Sequence, residues 1–411
     1  MTARLGAIAD DYTGAVDLAT TLVARGHRTR VHFGVPSTPP SDDHEVDAVV
    51  IGLKTRSAPV AHAVDESRSA LRALRAREVQ RVYHKICATF DSTPEGNIGP
   101  VLDALMLDLG VDKTVVVLPY PEAGRTMYQG HLFVHGVRLD ETSMRDHPLT
   151  PMTDSRIARL LEPQTTQSVH EVRFPDTRRG PAHLAAVLGT LEPGIAIIDA
   201  LERCDLDAIA AATDSYPLVS GGAGLAASFP TRSAATAHPT PLEGRGAVLA
   251  GSASRETQAQ LAFASGTLPT HKLDLPALRQ DFDTEVIALR DWVLGELEAH
   301  GRAPIVYATG SADDIEVDSP TDAEPAAVLI ERALGSLASA LVDSGINRLI
   351  VAGGESSGSV TRALGIHSFD VSPPLSPGTA WARGRTNTGQ AVDLLLKSGS
   401  LGTKEIFVEA W

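Results

Sequence analysis

The chain has 411 residues, of which 43% are hydrophobic, 21% charged and only 4% aromatic. That is ordinary for a globular protein and more chain than one hydrophobic core usually supports, so two domains are expected. The formal charge is −15, from 36 basic and 51 acidic residues with no Lys/Arg run to offset it, which excludes nucleic acid as a partner. The two cysteines, Cys87 and Cys204, lie far apart; they form no disulfide framework and read as buried apolar residues rather than nucleophiles. Arg4 precedes an apolar run broken by Asp10 and Asp11, which does not make an export signal, and no stretch reaches the roughly 18 apolar residues of a membrane span. A cytoplasmic protein with no membrane partner is expected, and a homo-oligomer is left open.

In chain order, Leu5–Ala9 reads as a buried strand and Ala15–Arg25 as a helix with Val16, Ala19 and Val23 on one face. Thr29–Phe33 and Ala48–Leu53 read as strands, His62–Arg77 as an amphipathic helix, Val82–Ile86 and Thr114–Leu118 as strands flanking a helix near Val101–Leu109. Strand alternating with helix predicts an α/β fold with a mostly parallel sheet flanked by helices. Gly130–Leu139 alternates around Gly136 and predicts a hairpin, and Ile195–Asp199 a later strand. Residues 231–245, with Pro239 and Pro241, read as a linker between domains at 1–230 and 246–411. Beyond it, Ala247–Ala250, Ile305–Ala308 and Leu349–Ala352 read as strands, and Asp291–Ala299 and Ala326–Val342 as helices.

Ligands of open α/β sheets bind beyond the carboxyl ends of the strands, which directs attention to the loops there. Asp10-Asp11-Tyr12-Thr13-Gly14 pairs two carboxylates that repel unless a cation, hydroxyl or metal engages them; a helix cap accounts for the same letters. Lys54-Thr55-Arg56-Ser57 sets two cations at a strand end, suited to a carboxylate or to a solvated loop. Asp91-Ser92-Thr93-Pro94-Glu95-Gly96-Asn97, with Lys85 just upstream, is an anion site before a helix or a capped turn. Gly353-Gly354-Glu355-Ser356-Ser357-Gly358, read as a loop before a helix beginning near Val360, lets backbone N–H groups approach a phosphate; a tight turn is the alternative. It is neither a Walker A motif nor a dinucleotide fingerprint. Gly251–Ser254 and Lys397–Gly402 are further Gly/Ser loops after strands, so the three together suggest a nucleotide site built from several strand ends. Ser220-Gly221-Gly222-Ala223-Gly224 reads as close packing, and the 14 histidines show no zinc spacing.

As a set these segments resemble the four-carbon acid sugar kinase family, most closely its 3-oxo-tetronate 4-kinase branch. Asp10-Asp11-Tyr12-Thr13-Gly14 looks like the family's Asp-Asp-x-Thr-Gly signature, and Phe90–Pro100 is similar to its Asp-Ser-Thr…Gly-Asn motif. Gly124-Arg125-Thr126-Met127-Tyr128-Gln129-Gly130 and the stretch 147–155 also match. Val351–Gly358 and Leu396–Gly399 resemble the ATP-binding segments, with Ser356 where Thr is usual and Ser400-Leu401-Gly402 in place of Asn-Phe-Gly. The resemblance implies a sugar-acid-binding N-terminal domain, a nucleotide-binding C-terminal domain, and a reaction in the cleft between them. The implied reaction is ATP-dependent phosphorylation of a hydroxyl, the 4-hydroxyl of a 3-oxo-tetronate-class acid, with threonate, erythronate or a branched acid as alternatives. On that reading Asp11, or else Asp10, is the base. Arg56 and Lys85 hold the acid group, Asp91, Ser92, Thr93 and Asn97 line the substrate, and ATP with Mg²⁺ lies over Ser254, Gly353, Gly354, Glu355, Ser356 and Gly399; the metal ligands stay open. A sugar-acid dehydrogenase and a solute-binding protein are the more remote readings.

Overall fold

In the computed structural model of the chain, the described residues are all except 1–4, 37–45, 147–149, 231–238, 240, 312–313, 315–323, 377 and 400. Most of the Pro-rich 231–245 segment, His147-Pro148-Leu149 and Ser400 therefore lie outside the described residues. The chain divides into two compact units, 1–236 and 237–411.

The N-terminal unit begins with β1 (Leu5–Ala9), α1 (Tyr12–Ala24), β2 (Thr29–Phe33), β3 (Ala48–Gly52), α2 (Val60–Arg75), β4 (Arg81–Lys85), α3 (Ile98–Leu109) and β5 (Lys113–Val117). A small antiparallel sheet of β6 (Arg125–Tyr128), β7 (His131–Val134) and β8 (Val137–Arg138) comes next. Then come α4 (Ile157–Leu161), β9 (Val169–Val172), α5 (Phe174–Thr177), α6 (Pro181–Thr190), β10 (Gly194–Ile198), α7 (Arg203–Ala212) and β11 (Leu218–Gly221). The main strands run parallel in the order β2-β3-β1-β4-β11-β5-β10-β9. Strands such as β1 and β3 are buried throughout, as continuous apolar runs covered on both faces should be. Ile8, Ile51, Leu74, Ile86, Phe90 and Leu102 sit in the core. From β1 the chain passes to β2 and β3 on one side and then crosses to β4 and β5 on the other, so the order reverses at β1 and β4. Such a switch point is where an open sheet presents a crevice.

The C-terminal unit contains β12 (Gly246–Ala250), α8 (Arg255–Ala264), β13 (Thr270–Lys272), α9 (Leu275–Gln280), α10 (Phe282–His300), β14 (Ile305–Tyr307), α11 (Ala326–Asp343), β15 (Arg348–Ala352) and α12 (Gly354–Ala363). It ends with β16 (Ser368–Ser376), β17 (Thr379–Arg385), β18 (Ala391–Lys397) and α13 (Ile406–Glu409). Its order is β13-β14-β12-β15-β18-β17-β16, parallel through β18 and antiparallel at β17 and β16. Val248, Ile350, Leu395, Trp381 and Phe407 form its core. Trp381 and Trp411 lie 5.6 Å apart with the Arg348 guanidinium over both rings, and a Cβ on Gly246 would meet the Trp411 ring at 2.1 Å. Trp292 packs at 4.9 Å from the His271 ring.

Several elements differ from their predicted bounds. Four helices start earlier than their apolar periodicity, at Tyr12, Val60, Ile98 and Phe282, and for α1 and α10 the cause is a cap, Asp11 and Asp281 respectively. The predicted hairpin at 130–139 is a three-stranded sheet that begins at Arg125. Gly354–Ser359 is not a loop but the opening of α12; Gly353, at φ +124°, makes the whole turn from β15. Among the described residues no helix is long and apolar enough to cross a membrane.

Candidate active site

The backbone first brings three strand ends together. Asp10 N–H donates to the Lys85 carbonyl at 3.1 Å, and the Asp10 carbonyl accepts from Thr55 and Arg56 N–H at 3.0 and 3.1 Å. The ends of β1, β3 and β4 are thereby fixed around Asp10, and their side chains converge. Arg56 Nε and Nη2 donate to the two Asp10 oxygens at 3.0 and 2.7 Å, and Nη2 also lies 3.0 Å from Asp11 Oδ1. Asp11 is the cap of α1 as well, accepting from Gly14 N–H at 2.7 Å and Thr13 Oγ1 at 2.8 Å. Both readings of this pair therefore apply. The signature glycine has a steric reason, because a Cβ on Gly14 would fall 2.3 Å from Asp11 Oδ1 and 3.3 Å from Lys85 Nζ.

Burial pushes the Asp10 carboxyl up, the Asp11 charge adds to this, and Arg56 pulls the other way. Burial acts on Asp11 too, but there Arg56, Lys85 and the bonds from Thr13 and Gly14 outweigh it and hold its carboxyl below the usual range. Lys85, itself buried, lies 3.6 Å from Asp17 Oδ2 and donates to the Ile86 carbonyl at 3.1 Å. Burial raises Asp17 against the pull of Lys85. Sequence reading missed Asp17: it sits mid-helix, and its chemistry comes from a lysine on a distant strand.

The Asp91–Asn97 segment contributes mostly support. Asp91 accepts from Thr89 Oγ1 at 2.5 Å and Cys87 Sγ at 3.0 Å. Burial, with the Asp91 charge, pushes the Cys87 thiol up to about 12, which makes it a poor nucleophile. Cys204 is not the buried residue its type suggests: it is exposed on the first turn of α7, beside Arg178 at 3.0 Å. Ser92 Oγ faces Gln164 Oε1 at 3.2 Å, and the Thr93 carbonyl closes a turn with Gly96 N–H. Asn97 Nδ2 donates to the carbonyls of Thr55, Arg56 and Ala58 at 2.6, 3.3 and 2.8 Å, so it clamps the loop that carries Arg56.

In the C-terminal unit the three Gly/Ser loops meet beyond adjacent strands β12, β15 and β18. Gly251 and Ser252 N–H donate to the Ala352 carbonyl, and Gly353 N–H to the Lys397 carbonyl. Ser254 caps α8, accepting from Thr257 N–H, and donates to the Gly399 carbonyl at 2.7 Å. A cavity of about 350 Å³ opens beside them, in the size range of ligand pockets. Gly353, Gly354, Glu355 and Ser356 line one side with Gly251–Ala253; Leu275, Ala326, Ala327 and Ile330 form an apolar wall. Ser254 and Gly399 are not part of its lining; they bond each other next to Ser252, which is. Asp314, which sequence reading missed, lines it while accepting from Lys272 at 2.6 Å and from Gly310 and Ser311 N–H. Behind the loops lies Lys397, fully buried, 3.3 Å from both Thr257 Oγ1 and the Gly399 carbonyl, its ammonium brought down to about 8 by burial.

A family model described as a sugar-binding N-terminal domain matches residues 5–229, and one described as a nucleotide-binding C-terminal domain matches 247–407. A Brucella melitensis protein named 3-oxo-tetronate kinase is 41% identical over 99% of this chain and 95% of its own length. A protein of the same name from Burkholderia multivorans is 40% identical over 99% and 96%. A crystal structure from Salmonella typhimurium LT2, provisionally described as a tRNA synthase, has a TM-score of 0.89 and 40% identity, covering 99% of this chain and 98% of that one.

Proposed function

The chain belongs to the four-carbon acid sugar kinase family, and on that premise we propose that it transfers the γ-phosphoryl group of ATP to the 4-hydroxyl of a 3-oxo-tetronate-class acid. It is a sugar-acid kinase, a phosphotransferase with an alcohol acceptor. The observation that carries the finer reading is the Asp10–Asp11–Arg56 cluster at the switch point of the sheet in the domain matched as sugar-binding. A loose phosphoryl-transfer transition state asks chiefly for a positioned acceptor oxygen and a late proton acceptor. Asp11, whose side chain is 26% exposed against 10% for Asp10, is the carboxylate that can accept from the hydroxyl; Asp10 fixes Arg56 beside it. The triphosphate would rest on the N–H groups at the start of α12, with the base against the apolar wall of the cavity. Mg²⁺ would accompany the nucleotide and offset phosphate charge with few protein ligands, and Glu355 beside the Gly353 turn would hold it through water.

A synthase acting on tRNA would need a basic surface, and a net charge of −15 argues against one. The test is ADP release from ATP and Mg²⁺ with 3-oxo-tetronate, threonate and erythronate, with NAD(H) turnover followed in parallel and the phosphorylated carbon identified by NMR. Acid-dependent ADP and a phosphate at carbon 4 are expected. NAD(H) turnover without ADP would overturn the reading.

A further inference from the structure

We infer that Arg125, at the start of β6, grips the carboxylate of the acid substrate; this rests on the kinase reading above. The other cations around Asp11 are already engaged. Arg56 spends its fork on Asp10 and shares Nη2 with Asp11, and Lys85 is matched by Asp17. Arg125 differs. Among the described residues its guanidinium makes one hydrogen bond, from Nη1 to the Ala123 carbonyl, and no carboxylate stands within ion-pairing distance of it.

The backbone holds this side chain in place. Tyr120 N–H donates to the Arg125 carbonyl at 2.8 Å and Arg125 N–H to the Tyr120 carbonyl at 3.0 Å, closing a loop turned by Gly124 at φ +73°. Thr21 on α1 donates from Oγ1 to the Asp17 carbonyl at 2.9 Å, and it also acts on the Tyr120 phenol, against the burial that raises it. The Arg125 charge reaches Asp17, the same carboxylate that faces Lys85. Between the ends of β4 and β5 lies β11, which finishes in Gly221 and is followed by Gly222, so that strand end contributes main chain alone. Lys85 thus faces Asp17 at 3.6 Å, Arg125 acts on the same carboxylate from further off, and among the described residues Arg125 has no direct counter-ion. A planar fork with unused donors is the group that binds a carboxylate through two parallel hydrogen bonds.

The experiment compares the full-length wild type with Arg125→Ala and Arg125→Lys, using a four-carbon acid and its C1 primary amide as acceptors. Wild-type activity on the acid is established first; its absence would sink the kinase reading and leave Arg125 to be judged by calorimetric binding of the acid alone. Arg125→Ala should raise KM for the acid about 10- to 100-fold, as losing a charge-assisted hydrogen bond does, with KM for ATP within about twofold. The preference for acid over amide should collapse, added guanidinium should restore part of the rate, and Arg125→Lys should fall between. An unchanged acid KM, or equal losses for acid and amide, would overturn the inference.

Discussion

Asp10 meets Arg56 through both carboxylate oxygens, whereas Asp11 shares that cation and also holds the first turn of α1. Asn keeps the shape and one acceptor but is no base. Asp11→Asn should therefore lower kcat by roughly 10²–10⁴ and leave nucleotide affinity nearly unchanged, as steady-state kinetics with calorimetry would read. Should Asp11 act only as a cap, the variant, in which Asn caps nearly as well, would lose at most about 1 kcal/mol of stability and keep its turnover. Asp10→Asn leaves a largely buried guanidinium half-matched, so its signature is instability, roughly 3 kcal/mol in urea unfolding. Because the Asp11 carboxyl is held below the usual range, it stays ionised into acid, and of these three carboxyls Asp10 and Asp17, both pushed up by burial, take a proton first as the pH falls.

At the scale of elements, β4 and β11 are joined by a buried side-chain pair as well as by their ladder. His84 faces Ser220 across the strands, Nδ1 to Oγ at 3.0 Å, and burial takes its imidazole down to about 4. Above pH 6.5 the ring is neutral folded or unfolded, so the pairing contributes fully. Between 6.5 and 4 the unfolded chain takes the proton first, and stability falls with pH by up to roughly 3 kcal/mol. Denaturant unfolding at several pH values should show this slope in the wild type and a flatter one in His84→Gln. A second element-level expectation concerns the start of α12: Gly354→Val sets a branched side chain in the cavity wall and should weaken ATP binding in a chain that remains folded, measured by calorimetry. What could be read from sequence divides along the same lines. Leu5–Ala9 is an unbroken apolar run bounded by Asp10, so both its strand and the importance of the acidic turn after it are legible. β9 has only Val-His-Glu-Val, and β16 carries Pro373 and Pro374, so neither offers a strand pattern. The opening of α12 is hidden because Gly and Ser are poor helix formers; there packing decides, with Gly251 only 2.1 Å from Ser356 Oγ were it given a Cβ. The roles of Asp17, Asn97 and Lys397 depend on partners far along the chain, and no local spacing announces them.

For the whole molecule, the proposed function divides the ligands between the two matched domains, the acid to the first and the nucleotide to the second. Hydrogen exchange should report that division: a nucleotide should slow exchange around 251–254 and 353–357, and the acid around 10–17, 54–58 and 85–97, since each ligand stabilises the segments it orders. Asp11→Asn should keep the first pattern, and protection spread evenly over both units by either ligand would contradict the assignment. The placement of the indoles has an optical consequence. Trp292, Trp381 and Trp411 are all the tryptophans in the chain, and all lie in the unit from 237 onward, two of them beneath the Arg348 guanidinium. Five of the six tyrosines, Tyr12, Tyr83, Tyr120, Tyr128 and Tyr216, lie in the other unit. Light absorbed at the red edge of the indole band is thus taken up by the nucleotide-binding unit alone, and emission from it gives a private signal of that unit. The sugar-binding unit is dark in that channel, and a titration or melt followed only by tryptophan would record half of the molecule while seeming to describe all of it.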